Sequence, residues 1–502
     1  MQSIAEARHG APPHVLFFHA WSSHPMNVIS GRRLASAALY LMLTGCSAIS
    51  PPLSEANVAD FSAHLSNELV SIPEPLVGAL TVDDAVMRAV RYNHAIRAKE
   101  LEAALAEARV RAQAGSMLPS MVAESDYYRR DRPHMSHSSL TSAFSTSTDL
   151  RTISRDIAIS WNILDFGLSF VRARQGLDKA LQQHEEANRV RARIVEETRA
   201  IFWRAVALER LGPALSRLDR EVNAALMEAG AASRDTQIDP MASINYQRDI
   251  LNSRRELNLL QTSLAGAVDQ LKQSIGLPQL ENMRLDERPT AQVVLPSTSP
   301  ADDVVLALRQ RPEIRQQMYD MRITDEEVNA TILQLLPGFT FTRTFSSDTN
   351  SFLLHANWIS WGTKIAGNLM NLARLPADLD AIDAQQRVHR QNALATAATI
   401  AMQVCVARAR MAVHVRAHRD ALQFVEVQHR LLSQVWTSAK LGRVGRQVIV
   451  REKLSLLLAE VRAIVAFADL HAAVAAYATA MGHPGDPDRT VIANSSHKID
   501  VE

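Results

Sequence analysis

The sequence predicts a mainly α-helical protein with a small β part, made of two copies of one helix–strand–strand–helix–helix unit. Three observations support this fold class: few turn-forming residues, long heptad runs and an internal duplication. Gly and Pro number 18 and 20 among 502 residues, below their usual combined share of roughly 12%. Only 5% of the residues are aromatic although 47% are hydrophobic, so small aliphatic side chains dominate, as expected for long packed helices.

The internal duplication appears as two segments that align without a gap. The first opens at Leu80 and ends at Leu118-Pro119, and the second opens at Ala301 and ends at Leu336-Pro337. Self-similarity of this kind indicates a repeated structural unit. The aligned positions are Asp84 with Asp302, Ile96 with Ile314, Arg97 with Arg315, and Pro119 with Pro337.

Each copy begins with a long helix that is followed by two strands. Helices are predicted at about 83–116 and 302–335, because both stretches end at Leu-Pro and proline cannot continue a helix. Apolar residues alternate over 153–161 and 339–345, which is the period of a strand with two different faces. We therefore expect four amphipathic strands per chain, two in each copy.

A very long helix follows in each copy, at about 167–229 and 374–440. Ile194, Ile201 and Leu208 recur every seven residues, and sustained heptads predict coiled-coil packing. A Gly-containing turn then reverses the chain, and a last helix returns along the long one. The predicted turns and returning helices are Gly230–Asp235 with 240–275, and Gly442–Arg446 with 448–481.

The first fifty residues contain a candidate secretion signal. An apolar run at 34–43 follows two arginines; it is too short to span a bilayer but fits a signal-peptide core. It ends in Leu43-Thr44-Gly45-Cys46, which resembles the lipobox of bacterial lipoproteins and implies cleavage before Cys46 and acylation of its thiol. In an ordinary secretory leader, Cys46 would be an incidental thiol.

These features divide the chain into six predicted segments. Ser47 stands where an aspartate would favour inner-membrane retention, so the resemblance implies an outer-membrane lipoprotein, and translation from Met26 would shorten the leader to 26–45. The segments are a leader (1–45), a lipid-anchored tether (46–79), a first unit (80–284), a joint (285–300), a second unit (301–482) and a C-terminal tail (483–502).

Composition and motifs exclude several classes of function. A net charge of +1 gives no electrostatic case for a nucleic-acid partner, and a mean hydropathy of −0.09 argues against a bundle of membrane-spanning helices. The sequence has no Walker-type loop, no His-Glu-x-x-His and no Gly-x-Ser-x-Gly, so we expect neither catalytic residues nor enzyme activity. No metal and no cofactor is expected apart from the covalent lipid on Cys46.

Three further side chains are candidates for metal or thiol chemistry, namely His414, His418 and Cys405. His414 and His418 lie four residues apart on a predicted helix, a spacing that suits a metal ion. No acidic or thiol partner lies near them in sequence, so a packed or solvated pair is expected instead. Cys405 lies within an apolar helical pattern and is expected to be a small core residue.

Four short strands cannot close a membrane barrel in one chain, since the smallest such barrels have eight. Open edges in lipid would leave backbone groups unpaired at several kcal/mol each, so we expect a cyclic oligomer; a dimer would supply eight strands and a trimer twelve. We expect the aromatic residues of these segments to face lipid, the alternative being the core of a soluble sandwich. They are Tyr127, Tyr128, Phe339, Phe341, Phe345 and Trp358.

The order and duplication of these elements resemble the outer membrane efflux protein family, the TolC-like factors. The motifs that carry the resemblance are Leu80–Ala85, Leu118-Pro119, Ser160–Gly167 and the glycine-bearing turns. The resemblance implies a homotrimer with a 12-stranded β-barrel in the outer membrane of a Gram-negative bacterium, continued by a long periplasmic α-helical barrel. Its helix tips would contact a periplasmic adaptor protein and, through it, an inner-membrane pump or secretion transporter.

The resemblance also gives roles to residues at the two tips. Acidic residues just after the second tip narrow the entrance in better-known members, whereas this chain has the basic stretch Gly445–Arg451 there. Asp235 and Asp239 after the first tip could serve instead. The adaptor-docking candidates are Gly230, Ala231, Ser233, Gly442, Val444 and Gly445, and the entrance-gate candidates are Arg234, Asp235, Arg443 and Arg446.

Three functions therefore compete. The leading hypothesis is an exit duct of a tripartite efflux or secretion system, with an outer membrane factor dedicated to type I protein secretion as the alternative of the same class. A lipid-anchored periplasmic coiled-coil adaptor or scaffold is the alternative of a different class, although such a protein needs no amphipathic strands. A hydrolase has no motif to support it.

Overall fold

The computed structural model describes residues 52–70, 74–76, 78–232, 240–279, 281–286 and 293–483, which are mostly helical with a small sheet. We call 80–286 the first half and 293–483 the second half. The helices are α1 (Glu55–Val70), α2 (Val82–Tyr92), α3 (His94–Ala114), α4 (Ile163–Ala232), α5 (Pro240–Leu264), α6 (Ala267–Ser274), α7 (Pro300–Gln310), α8 (Pro312–Leu333), α9 (Met370–Lys440) and α10 (Arg446–Ala480).

The strands form one sheet, with strands from both halves of the chain, and one small hairpin. Four antiparallel strands lie in the order β1-β4-β5-β6, so the central pair joins the first half of the chain to the second. A separate hairpin pairs β2 with β3 in the loop between β1 and β4. The strands are β1 (Ser120–Arg129), β2 (Met135–His137), β3 (Phe144–Thr146), β4 (Arg151–Asn162), β5 (Gly338–Asp348) and β6 (Asn357–Ala366).

The first helix of each half is interrupted, so the prediction of one continuous helix was wrong. In the first half the break falls at Asn93, whose side chain accepts hydrogen bonds from the backbone N–H groups of Ala95 and Ile96 and thereby caps α3. In the second half it falls at Arg311, because Pro312 follows and disfavours a helical conformation at the residue before it.

The returning helices differ between the halves. The helix predicted at 240–275 divides into α5 and α6 because Gly266 adopts a positive φ of 77°, a conformation that ends a helix. Its counterpart α10 runs without a break. Among the described residues no helix is long and apolar enough to cross a membrane.

The core follows the heptad positions of the long helices. Of the heptad residues of α4, Ile194 is buried, and Ile201 and Leu208 are partly buried and pack against the same core, as predicted. Val404 and Met411, seven residues apart on α9, are also buried. Helix α10 contributes to both core clusters, packing Leu454 and Leu458 with α4 and Val474 and Tyr477 with α9. The two halves therefore share α10 as a common structural element.

Candidate functional site: the sheet and the helix tips

The four-stranded sheet has two chemically different faces. Residues directly opposite each other in an antiparallel pair lie on the same face, so Met121, Ile159, Arg343 and Trp361 form one row across the sheet. The rows on either side of it are also apolar, and most of these side chains are exposed. The apolar side chains of this face are Met121, Tyr127, Ile153, Ile157, Ile159, Trp161, Phe339, Phe341, Phe345, Ile359, Trp361 and Ile365.

The opposite face is polar and acidic. It carries small and hydroxyl side chains on all four strands, together with four carboxylates and one lysine, which are Glu124, Asp126, Asp156, Asp348 and Lys364. Glu124 lies directly opposite Asp156, an arrangement that is unfavourable for like charges unless water screens them. This face is therefore suited to water. The apolar face forms one continuous patch, unlike the single exposed apolar residues of an ordinary protein surface.

Two of the aromatic residues predicted to face lipid lie on the polar face instead. Tyr128 pairs with Thr152, and Trp358 pairs with Ser346, so both point to the acidic side of the sheet. The reason is the two-residue period of a strand: Tyr128 directly follows Tyr127 and must point the other way. The prediction was wrong for these two side chains.

The arginines of the sheet are segregated from its carboxylates, a feature that the sequence analysis missed. Arg129, Arg151, Arg155 and Arg343 all lie on the apolar face. Arg343 stacks its guanidinium over the rings of Phe345 and Trp361, at 4.8 and 4.4 Å from the ring centroids. The signal was present in the sequence, because every arginine of these strands has an odd number and every acid an even one.

The edges of the sheet and the outer side of α9 are uncovered within the described chain. Strands β1 and β6 each have one neighbour among the described strands, so each presents unpaired backbone groups along its other side. Helix α9 exposes large apolar residues over most of its length. They are Val388, Leu394, Met402, Val406, Val413, Leu422, Phe424, Val427, Leu431 and Trp436.

The second tip is a tight turn between α9 and α10. Gly442 has a φ of 70°, and the backbone N–H groups of Gly442 and Arg443 donate to the carbonyls of Ala439 and Ser438, at 2.9 and 3.0 Å. This pattern ends a helix with a left-handed glycine. Gly445, Arg443 and Arg446 are exposed at the turn, and Val444 is half-buried.

The first tip differs from the predicted turn. Gly230 and Ala231 lie in the last helical turn of α4, which continues to Ala232. Alanines on both sides of Gly230 favour the helix, and this glycine has no positive φ. Ser233, Arg234, Asp235 and Asp239 lie outside the described residues.

Solved structures of outer-membrane channels share this arrangement. The chain matches the open state of the MtrE outer membrane channel of Neisseria gonorrhoeae with a TM-score of 0.64 at 15% identity, over 81% of this chain and 90% of that one. It matches the CmeC outer membrane channel of Campylobacter jejuni with a TM-score of 0.64 at 12% identity, over 86% and 94%. It matches CusC, a protein described by its transmembrane channel formation, with a TM-score of 0.62 at 18% identity, over 82% and 95%.

The chain has the fold of the TolC-like outer-membrane factors. The resemblance inferred from the sequence is thereby confirmed at the level of the fold, with a mainly helical chain and a small sheet. No protein-family model and no curated protein matches the sequence significantly. Helices and sheet therefore carry the relationship to this fold where residue identity does not.

The remaining candidates are Cys46, Cys405, His414 and His418. Cys46 lies outside the described residues. Cys405 is exposed, so its prediction as a core residue was wrong; the buried face of α9 runs through Val404 and Ala407, and Cys405 points away from it. Within the described part of the chain, no group of three His, Cys, Asp or Glu side chains could hold a metal ion.

His418 belongs to an aromatic cluster between the halves. Its ring lies 5.6 Å from Phe467, which in turn contacts His471 at 4.5 Å, and His471 stacks on Trp203 at 4.4 Å. Burial lowers the pKa of His471 to about 4, with a smaller contribution from the charge of His418. Burial also lowers the pKa of His418. These aromatic contacts pack α4, α9 and α10 against one another.

Proposed function

We propose that this chain is one protomer of a trimeric exit duct in the outer membrane, which passes substrates from an inner-membrane pump and a periplasmic adaptor to the exterior. The observation that carries the proposal is the sheet, with its exposed apolar face, its acidic polar face and its two open edges. An apolar face suits lipid, and an acidic face suits a water-filled lumen.

The open edges argue for several copies around one pore. In lipid, every backbone group must be paired, so a four-stranded sheet is stable there only if β6 of one copy pairs with β1 of the next. Three copies supply twelve strands, enough to leave a water-filled interior. The exposed apolar side of α9 supports the same assembly, because neighbouring copies would cover it.

The finer assignments belong to this proposal. The helix tips would dock the adaptor through Gly230, Ala231, Ser233, Gly442, Val444 and Gly445, and the entrance would be lined by Arg234, Asp235, Arg443 and Arg446. A lipid on Cys46 would anchor the leader-processed chain in the outer membrane. We also keep the six segments predicted from the sequence, with the same boundaries, as part of this proposal.

Membrane extraction and bilayer recording test the duct. We expect the full chain to remain in outer-membrane vesicles after alkaline carbonate treatment, to migrate as a trimer in mild detergent, and to conduct ions in planar bilayers. A monomer released by carbonate would contradict the duct and favour a lipid-anchored periplasmic adaptor. In cells that lack the chain, retention of an exported protein without sensitivity to small toxic compounds would favour type I protein secretion.

The same recordings test the entrance gate. We expect Arg446→Glu to change the single-channel conductance or the cation preference, because a cyclic assembly repeats one charge around a narrow opening. Arg419→Glu is the matched control, since Arg419 is an exposed residue of α9 away from the tip. If both variants conduct like the unmodified protein, Arg446 does not line the constriction.

A further inference from the structure

The charges of β1, β4 and β5 are sorted by sign between the two faces of the sheet, whereas Lys364 of β6 is a cation on the polar face. All four arginines of β1, β4 and β5 lie on the apolar face, and all four carboxylates of the same strands lie on the polar face. The apolar face thus carries positive charge without any carboxylate of these strands to neutralise it. Cationic side chains on an apolar face that suits lipid require a source of stabilisation.

Three of these arginines form a cluster, which we define as Arg129, Arg151 and Arg155. Arg129 lies directly opposite Arg151 in the antiparallel pair of β1 and β4, where side chains approach closely and like charges repel. Arg155 lies four residues further along β4 on the same face, opposite Ser125 and Ser347. All three arginines are exposed.

The arginine cluster lies just beyond one end of the apolar band. The last fully apolar row next to it contains Ile157, Phe345 and Ile359. Strand β4 runs away from the cluster and ends at Asn162, directly before the long helix α4. The cluster is therefore at the end of the sheet opposite the long helices, on the side that faces the exterior in the proposed duct.

Arg343 differs from the arginine cluster because aromatic rings stabilise its charge. Its guanidinium is stacked between Phe345 and Trp361 inside the apolar band, an arrangement that stabilises a cation without an anion. In the proposed duct, the guanidinium groups of the arginine cluster would lie instead at the height where lipid hydrocarbon gives way to headgroups. Tyr127, in the row between Arg129 and Ser125, adds a phenol at the same height.

We propose that the arginine cluster binds the phosphate groups of a phosphorylated lipid in the outer leaflet. The inference rests on the proposed function, since it requires the apolar face to meet lipid. Guanidinium groups bind phosphate oxygens in pairs of parallel hydrogen bonds. Arg151 and Arg155 are about 13 Å apart along the strand, so their long side chains can reach two phosphates of one headgroup, and the bound anion removes the repulsion between Arg129 and Arg151.

Lipid binding by the full chain in a non-ionic detergent tests the inference. The probe is a diphosphorylated acyl-glucosamine lipid, compared by native mass spectrometry with the same lipid after removal of both phosphates. We expect the unmodified chain to prefer the phosphorylated form by at least about tenfold, and R129Q/R151Q/R155Q to lose that preference. The matched control is R109Q/R390Q/R419Q, which removes the same charge from exposed helix positions and should keep it.

Each other outcome overturns the inference. Equal binding of the two lipids, or an unchanged preference in the cluster variant, removes the cluster as a phosphate site. Pyrophosphate that binds as tightly as the phosphorylated lipid would identify a site for free anions instead of lipid. Should the triple variant fail to assemble, Arg155→Gln alone must still reduce the preference.

Recordings on the same preparation separate this inference from the proposed function. Unmodified trimers that conduct in zwitterionic bilayers but show no lipid preference contradict only the arginine cluster. A chain that neither forms trimers nor conducts contradicts the duct itself.

Discussion

The two halves of the chain join their long helix to their first helix in the same way, but at different depths. In the first half, Arg199 of α4 donates to Asp83 of α2 at 3.1 Å, and the Asp83 side chain is 55% exposed. In the second half, Arg408 of α9 pairs with Asp303 of α7, whose side chain is only 2% exposed. We call the first pair the exposed joint because its aspartate is in contact with water, although the Arg199 side chain is only 10% exposed. We call the second pair the enclosed joint because its aspartate is buried, although the Arg408 side chain is 21% exposed.

The enclosed joint is a network, and this changes what each residue contributes. Asp303 also accepts hydrogen bonds from the hydroxyls of Tyr477 and Thr298, at 2.9 and 2.5 Å. Burial and the hydrogen bond to Asp303 raise the pKa of Tyr477, so its hydroxyl stays a donor. A buried network of this kind is sensitive to the loss of one member, because the others are left unpaired, whereas water can take the place of an exposed carboxylate such as that of Asp83.

The largest expected effect is on the enclosed joint. We expect Asp303→Ala to lower the free energy of unfolding by about 3–5 kcal/mol, since it removes the buried carboxylate that accepts from Arg408, Tyr477 and Thr298 and leaves these donors unpaired. Asp83→Ala is the matched change in the exposed joint and should cost less, because water can reach the position of its half-exposed carboxylate. Urea unfolding followed by circular dichroism measures both. Equal losses in the two variants would show that burial does not distinguish the joints.

The second expected effect concerns the histidine that α10 packs against Trp203 of the first half. The pKa of His471 is lowered from 6.5 to about 4, so between these values the unfolded chain binds a proton that the folded chain does not. The contribution is therefore fully present above pH 6.5 and is lost as the pH falls toward 4, at up to about 1.4 kcal/mol per pH unit.

Unfolding at a series of pH values measures this contribution. We expect His471→Gln to flatten the loss of stability between pH 6.5 and 4. His355→Gln, in an exposed loop of the sheet, should leave the curve of the unmodified protein unchanged. A slope that survives in His471→Gln would assign the pH dependence to other groups.

A third expected effect separates the two long helices. The apolar residues of α4 are largely covered by α3, α8 and α10, whereas α9 exposes Phe424 on its outer side. If neighbouring copies cover that side, Phe424→Asp should raise the dissociation constant of the trimer by at least about tenfold, because burying a phenylalanine contributes about 1.5–3 kcal/mol. The adjacent Gln423→Asp introduces the same charge at an exposed polar position.

Analytical ultracentrifugation in detergent compares these two variants. Trimers that resist Phe424→Asp as well as Gln423→Asp would place the subunit contact elsewhere on the chain.

Local periodicity determined how much of this architecture could be predicted. The heptad positions Ile194 and Met411 and the alternating residues near Phe341 gave correct elements, because each pattern is set by neighbours along the chain. The breaks at Asn93 and Gly266 were missed, since a cap or a left-handed glycine interrupts a helix without interrupting its apolar pattern.

Features that depend on pairing were out of reach of the sequence alone. The faces of Tyr128 and Trp358 follow from the register of neighbouring strands, and the burial of Asp303 follows from its contact with Tyr477, 174 residues away. The arginine cluster is the intermediate case. Its side of the strand follows from residue numbers, but the opposition of Arg129 and Arg151 required the register.

The smallest expected effect compares Gly230 and Gly442, the first glycine of each predicted tip. Gly442 has a φ of 70°, a conformation that costs a residue with a Cβ about 1 kcal/mol or more, whereas Gly230 lies inside the last turn of α4. A Cβ at either position would meet no atom within 4 Å, so backbone conformation alone decides the outcome. Gly442→Ala should destabilise the protein by about 1 kcal/mol, and Gly230→Ala should stabilise it by up to about 1 kcal/mol through helix propensity.

Gly445→Ala is the control for the change in composition, because Gly445 has an extended φ of −75° that alanine adopts freely. Thermal unfolding of the three variants gives the signs directly. Stability changes of opposite sign for Gly442→Ala and Gly230→Ala would mean that the two glycines have different roles. Gly442 allows the chain to reverse, and Gly230 lies in a helix that continues past it. The same sign for both would contradict the difference between the tips and return Gly230 to the turn that the sequence predicted.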